Sequence, residues 1–354
     1  MRILCRADAS LAIGSGHIVR CATLAQALAE EGHEVEFICR RLPGDLHEWL
    51  AEQGFPVRRI DASSDMHSDA RLCRAAIAER RFDWLVVDHY ELGAEWENAM
   101  AGIADGIAAI DDLGRKHECD LLLDQNYPKS IEGGYEGRTP IWCERLLGPA
   151  FALVRPEFAK LRSASLCRPR TSVSRLLVFM SGSDPGDETS KALSGIAGLD
   201  RPHLAVDVVI GANNPHRAAV ERACRAIAEV RLHVQTARMA ELMAAADCMI
   251  GAGGNATWER CTLGLPALVA VLAENQAPAT EALDAAGAHR LLGWHSALAP
   301  RDYARAVLAL DSLDLGAMSA AAANICDGEG VKRVVACLTV RRCGGGRRSV
   351  AFHA

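Results

Sequence analysis

RILCRADASLAIGSGHIVRCATLAQALAEEGHEVEFIC, residues 2–39, sets two apolar runs, Arg2–Arg6 and Val35–Cys39, on either side of an Ala/Leu-rich amphipathic stretch, His17–Glu30. Strand, helix and strand in that order make a βαβ unit, and Gly32 supplies the helix stop. Runs that are apolar throughout, rather than alternating, belong to a parallel sheet covered on both faces. The alternation continues, predicting strands at Leu85–Asp88, Ile107–Ile110 and Leu121–Asp124. After a polar Arg/Ser-rich stretch, Leu161–Ser174, it restarts with Leu176–Met180, Val206–Ile210, Arg231–Val234, Cys248–Ile250 and Ala267–Leu272. Helices are predicted at Pro185–Gly195 and Thr257–Leu263. The expected fold class is α/β, with two doubly wound Rossmann-like domains facing a cleft. The first takes residues 1–160 and the second 172–338, with Leu161–Ser174 as linker and 339–354 as a disordered tail. Ligands of such sheets bind beyond the carboxyl ends of the strands.

The 354 residues fit two domains at about 150 residues each. Half the chain is hydrophobic and a quarter charged, which excludes a disordered or collagen-like polymer. The net charge of −6 gives no global field to draw the protein onto nucleic acid or acidic lipid. Four of the 39 basic residues and none of the 45 acidic ones fall in the last fourteen positions, so the remaining body is more acidic still. Apolar runs such as Ala267–Ala273 are far short of the roughly 20 residues of a membrane span. Arg6 and Asp8 interrupt any signal-peptide core. Thirteen cysteines without a CxxC or Cys/His cluster predict reduced thiols in a cytoplasmic protein and no metal site.

The loop after the first strand carries Gly14-Ser15-Gly16-His17. It is not a dinucleotide fingerprint, because the third glycine of GxGxxG would fall on Val19 and Gly14 lies too far from the strand. Instead, permissive backbone delivers His17 to a helix start. The partial positive charge there disfavours imidazolium, which suits the ring to accept a proton as a general base; packing or capping is the alternative. Asp8 either orients that imidazole, hydrogen-bonds a sugar hydroxyl or caps its loop.

In the second half, Ser181-Gly182-Ser183-Asp184-Pro185 is expected to start a helix with Asp184 as N-cap and Pro185 at N1. Amides around Gly182 and Ser183 remain available to a phosphate. Gly251-Ala252-Gly253-Gly254-Asn255 runs from a strand into a helix start, where backbone N–H groups receive a diphosphate without a metal. Glu259, one turn on, is placed to accept hydrogen bonds from ribose hydroxyls, or merely suits a first turn.

Six collinear blocks carry a wider resemblance. RADASLAIGSGHIVRCATLA (Arg6–Ala25), VVDHYELGAEWE (Val86–Glu97), IDDLGRKHECDLLLDQN (Ile110–Asn126), LLGPAFALVRPEF (Leu146–Phe158), SGSDPGDET (Ser181–Thr189) and GAGGNATWERCTLGLPALVAVLAENQ (Gly251–Gln276) resemble the PseG family. These are bacterial UDP-2,4-diacetamido-2,4,6-trideoxy-β-L-altropyranose hydrolases of pseudaminic acid biosynthesis, a pathway of flagellin glycosylation. The resemblance implies a MurG-like glycosyltransferase-B fold and metal-independent hydrolysis of a UDP-sugar at C1, with no cofactor; charge and hydropathy predict neither nucleic acid nor membrane as partner, and the oligomeric state, a monomer or not, is left open by the sequence. It implies His17 as catalytic base; Asp8 and the Gly14, Ser15 and Gly16 loop are expected at the substrate from their place beside it. Tyr90 and Asn275 are expected at the sugar. Gly253, Gly254, Asn255 and Glu259 are expected at UDP, together with Arg155 and Gln276. The chain departs from the family at Ser181, commonly glycine, at Tyr127-Pro128 and in its tail. Alternative readings are a hydrolysing UDP-sugar 2-epimerase or a MurG-like transferase, which share the fold, a non-catalytic nucleotide-sugar binder, and a dehydrogenase.

Overall fold

The computed structural model describes residues 1–126 and 134–343. The chain divides into two compact units, Met1–Leu153 with Glu329 onward, and Val154–Gly328. Each is an all-parallel sheet whose strands are mostly connected through helices. In the first unit β1 (Arg2–Ala7), β2 (Glu34–Arg40), β3 (Val57–Ile60), β4 (Phe82–Asp88), β5 (Ala104–Ile110), β6 (Leu121–Asp124) and β7 (Glu144–Leu147) lie in the order β3-β2-β1-β4-β5-β6-β7. The register sets Cys5 beside both Phe37 of β2 and Val86 of β4. In the second, β8 (Arg175–Phe179), β9 (Ala205–Ile210), β10 (Val230–Val234), β11 (Cys248–Ala252), β12 (Ala267–Val271) and β13 (Arg290–Trp294) lie in the order β10-β9-β8-β11-β12-β13. Both orders are doubly wound, and the glycosyltransferase-B class is the one the sequence predicts.

The expected strands are present, and β3, β7 and β13 join them at the sheet edges. VRRI, ERLL and RLLGW carry charge or glycine, as edge strands do, so they lack the continuous apolar run that marks the inner strands. Inner positions such as Leu4, Cys5, Leu177 and Val178 are fully buried.

Three boundaries differ from the sequence reading. Leu161–Ser174 is not a linker: a helix runs over Pro156–Leu166, and the arginines beyond and within it bind second-unit carbonyls. Arg162 donates to the carbonyls of Thr262, Ala323 and Cys326, and Arg170 donates to that of Ala246 and to Ser165 Oγ. What reads as polar, loose chain is a set of guanidiniums satisfying carbonyls that helix ends leave over. Residues 329–338 do not finish the second domain. They begin the Gly330–Cys343 helix, whose Val331, Val334, Val335 and Leu338 enter the first unit's core, and Trp84 Nε1 donates to the Leu338 carbonyl at 3.1 Å. The expected tail therefore starts no earlier than 344. Residues 344–354, like Tyr127-Pro128, lie outside the described residues.

Candidate active site

β1 and β4 are neighbours from which the chain departs in opposite lateral directions, so their carboxyl ends form the switch point of the first sheet. The loop leaving β1 folds on itself before the helix begins. Gly14 N donates to the Ser10 carbonyl at 2.8 Å, Ile13 N donates to Ser10 Oγ at 2.9 Å, and Gly14 takes φ +82°, which favours glycine. Ser15, exposed, is the N-cap of the Gly16–Glu30 helix, without a side-chain cap bond. His17 follows in the first turn and is almost buried.

The imidazole is oriented by Asp88, the last residue of β4, which sequence reasoning missed: His17 Nδ1 lies 2.6 Å from Asp88 Oδ1. Arg20, one turn along the same helix, donates Nε to Asp88 Oδ2 at 2.5 Å and Nη2 to Oδ1 at 2.6 Å. Burial alone would push the Asp88 carboxyl up. The charge of Arg20, with the hydrogen bonds from Arg20 and His17, holds it well below the usual carboxylate range. An ionised Asp88 only accepts, so the network assigns the imidazole hydrogen to Nδ1. Nε2, the acceptor in that tautomer, has no hydrogen-bond partner among the described residues. Tyr90 meets the His17 ring edge-on, with centroids 4.5 Å apart, and is 37% exposed.

Asp8 does none of the jobs expected of it near His17. It is fully buried: Arg6 Nη1 lies 2.7 Å from its Oδ1, while Arg40 donates Nε to Oδ2 at 2.6 Å and its own N–H to Oδ1 at 2.7 Å. Two arginines and His89, whose Nε2 lies 3.1 Å from Oδ2, surround the buried carboxylate, and Asp8 ties β1 to β2. The signal for the true partners was present in sequence. Arg20 is three residues from His17, hence on its helix face, and Asp88 ends an apolar run in the second matched block.

In the second unit, β8 and β11 flank the corresponding switch point, and the two glycine loops follow them. Asn255 precedes the Ala256–Thr262 helix. Gly253 packs so closely that a Cβ there would collide with Thr280 Oγ1. Thr280 Oγ1 and Thr257 Oγ1 are buried with no hydrogen-bond partner among the described residues. Gln276 accepts from Leu272 N through Oε1 at 3.0 Å, leaving its amide nitrogen toward Gly254. Asn275 lies beside it in the Glu274–Gln276 turn after β12. Arg155 and Glu259, separate expectations in the sequence, are one pair: Arg155 Nε donates to Glu259 Oε1 at 2.9 Å. Burial pushes the Glu259 carboxyl up, and Arg155 opposes it.

The Ser181 loop differs from expectation. Its helix begins at Glu188, three residues beyond Pro185, so Pro185 is not N1. Asp184, at φ +40°, still caps it from a distance, accepting from Glu188 N at 3.0 Å and Thr189 N at 2.8 Å. Among the described residues no group of His, Cys, Asp or Glu is arranged to hold a metal.

No family model matches the chain. The UDP-2,4-diacetamido-2,4,6-trideoxy-beta-L-altropyranose hydrolase of Campylobacter jejuni is 29% identical over 248 residues, 69% of this chain and 81% of that protein. The chain is similar to this hydrolase. Its resemblance to PseG therefore extends through both units. The spore coat polysaccharide biosynthesis protein SpsG of Bacillus subtilis is 25% identical over 292 residues, covering 81% of this chain and 82% of SpsG. Among solved structures, MurG of Acinetobacter baumannii aligns with TM-score 0.66 at 13% identity, over 96% of this chain and 99% of its own. That likeness shows the glycosyltransferase-B fold.

Proposed function

We propose that the chain hydrolyses a UDP-linked diacetamido-trideoxyhexose at C1, releasing UDP and the free sugar for pseudaminic acid synthesis. The observation that carries the chemistry is the His17–Asp88 pair, with Nδ1 engaged and Nε2 open at the switch point. Similarity to the Campylobacter hydrolase supplies the substrate class. His17 Nε2 takes a proton from water as the water oxygen bonds to C1, and the bond from C1 to the diphosphate oxygen breaks. The electron pair leaves with UDP, and the proton passes from His17 to solvent. A diphosphate is a good leaving group, so positioned water and charge stabilisation are what the protein must supply. A single displacement inverts the anomeric centre.

The amides of Gly253, Gly254 and Asn255 receive the diphosphate in this reading. Glu259, held by Arg155, accepts from the ribose, and Tyr90, Asn275 and Gln276 serve the sugar and its surroundings. Free cysteine thiols suit a cytoplasmic enzyme, and the reading needs neither membrane nor a second subunit.

Incubation with UDP-diacetamido-trideoxyhexoses and no acceptor, followed by ¹H NMR, tests it. UDP and inverted free sugar are expected. A sugar altered at C2 would identify an epimerase, turnover only with an acceptor a transferase, and binding without turnover a non-catalytic protein.

A further inference from the structure

Asp88 is held by more than His17. The Arg20 fork engages both its oxygens, which fixes the carboxylate plane and aims Oδ1 at the imidazole. The third guanidinium nitrogen, Nη1, reaches Asp112 Oδ2 at 3.4 Å, and the same Asp112 oxygen accepts the Tyr90 hydroxyl at 3.2 Å. Tyr90 in turn packs edge-on against His17. The five residues close a ring: His17, Asp88, Arg20, Asp112, Tyr90 and back to His17. They come from the Gly16–Glu30 helix, the end of β4 with the loop after it, and the loop after β5.

Asp111 and Asp112 are adjacent but differently employed. Asp111 accepts from the backbone of Leu113 and Arg115, from the Arg115 guanidinium and from the Tyr135 hydroxyl, which is the pattern of a structural carboxylate. Among the described residues the Asp112 carboxylate has only Arg20 and Tyr90. Its Oδ1 is buried with no hydrogen-bond partner among the described residues.

We propose that Asp112 and Arg20 are positioning residues that lock Tyr90 and the His17–Asp88 pair into one unit, so that a sugar resting on Tyr90 and the orientation of the base are coupled. This deepens the proposed hydrolysis and rests on it for the substrate, whereas the coupling itself is a property of the free protein. Asp88 and Arg20 are nearly inaccessible, so the bonds lie in low dielectric, where displacing one member disturbs the next.

The test combines two readouts on Asp112→Asn, Arg20→Lys, Tyr90→Phe and the Tyr90→Phe/Asp112→Asn double variant. The first is the hydrogen-bonded Nδ1 proton of His17 in the ¹H NMR spectrum of the full chain, assigned by its loss in His17→Gln. In Asp112→Asn and Arg20→Lys this proton is expected to exchange with solvent about tenfold faster or more, as a loosened bond opens more often. The second is steady-state kinetics. Asp112→Asn should lower kcat by about 10- to 100-fold with KM changed less than about threefold, and the double variant should lose little more than its worse parent. A merely structural salt bridge would lower Tm and leave the Nδ1 proton and kcat as in wild type, which overturns the proposal, as do multiplicative losses in the double variant. If the wild-type protein hydrolyses no UDP-sugar, the proposed function fails, and the Nδ1 proton still decides whether Asp112 and Arg20 hold His17.

Discussion

His17 Nδ1 and Asp88 Oδ1 stand 2.6 Å apart across the switch point of the first sheet, joining a helix start to a strand end 71 residues away. The contact selects the tautomer and leaves Nε2 to act. Asp88→Asn removes the charge and lets an amide face Nδ1, so a large share of molecules should carry the wrong tautomer. A fall in kcat of about 10²- to 10⁴-fold with KM within a few-fold is expected from steady-state kinetics. The same variant strips Arg20 of its partner in a buried site and should lower Tm. Unchanged kcat would remove Asp88 from the mechanism.

Arg155 and Glu259 make the second prediction. Because Arg155 orients Glu259 through a direct hydrogen bond and opposes the upward push of burial on its carboxyl, Arg155→Ala should weaken UDP binding about tenfold by calorimetry, with Arg155→Lys losing less. Glu259→Gln should weaken it similarly, and combining Glu259→Gln with Arg155→Ala should add little. Tighter UDP binding in Arg155→Ala would show that the pair competes with the nucleotide.

Gly253 offers a test of close packing. Gly253→Ala should lower Tm, since the added methyl meets Thr280 Oγ1. That hydroxyl is buried without a partner, so Thr280→Ala alone should cost little, about 1 kcal/mol or less, and should restore much of the lost Tm in the Gly253→Ala background. Thermal scans of the three variants decide it.

Two buried groups should each contribute stability that is lost as pH rises through their own windows. Burial, reinforced by Asp112 and Asp111, pushes the Asp124 carboxyl up to about 7. Its folded-state preference for the proton is therefore lost as pH climbs through that value. His117 is opposed by burial, but hydrogen bonds to Asp111 and Glu97 push it up to about 9, so its contribution is complete below about 6.5 and lost through 9. Each group changes stability by at most about 1.4 kcal/mol per pH unit within its window. Asp124→Asn should flatten the lower part of a Tm–pH curve and His117→Gln the upper part. Unchanged slopes in Asp124→Asn below pH 7 would contradict the first assignment, and unchanged slopes in His117→Gln between pH 6.5 and 9 the second.

Much of this was legible in the chain. The inner strands announce themselves by continuous apolar runs, and His17 by glycines ahead of an amphipathic helix. The edge strands β3, β7 and β13 do not, because one side faces water and charge is tolerated there. Asp8 misleads for a physical reason: its carboxylate follows the right strand, but Arg6 and Arg40, which consume it, lie two residues away and on a neighbouring strand. Asp88 ends an apolar run that the sequence shows, but its pairing with His17, like that of Asp112 with Tyr90, appears only when the β1–β4–β5 order is known, since strand order, not sequence spacing, brings them together. The Gly330–Cys343 helix looks like the end of the second domain until its valines are found in the first core.

The most direct test of the central claim is ¹H NMR of UDP-sugar turnover by wild type and His17→Ala, with UDP affinity measured on both. Loss of several orders of magnitude in kcat, about 10³-fold or more, with UDP affinity within a few-fold is expected of a residue that acts only as the base. Near-wild-type turnover by His17→Ala would contradict the account.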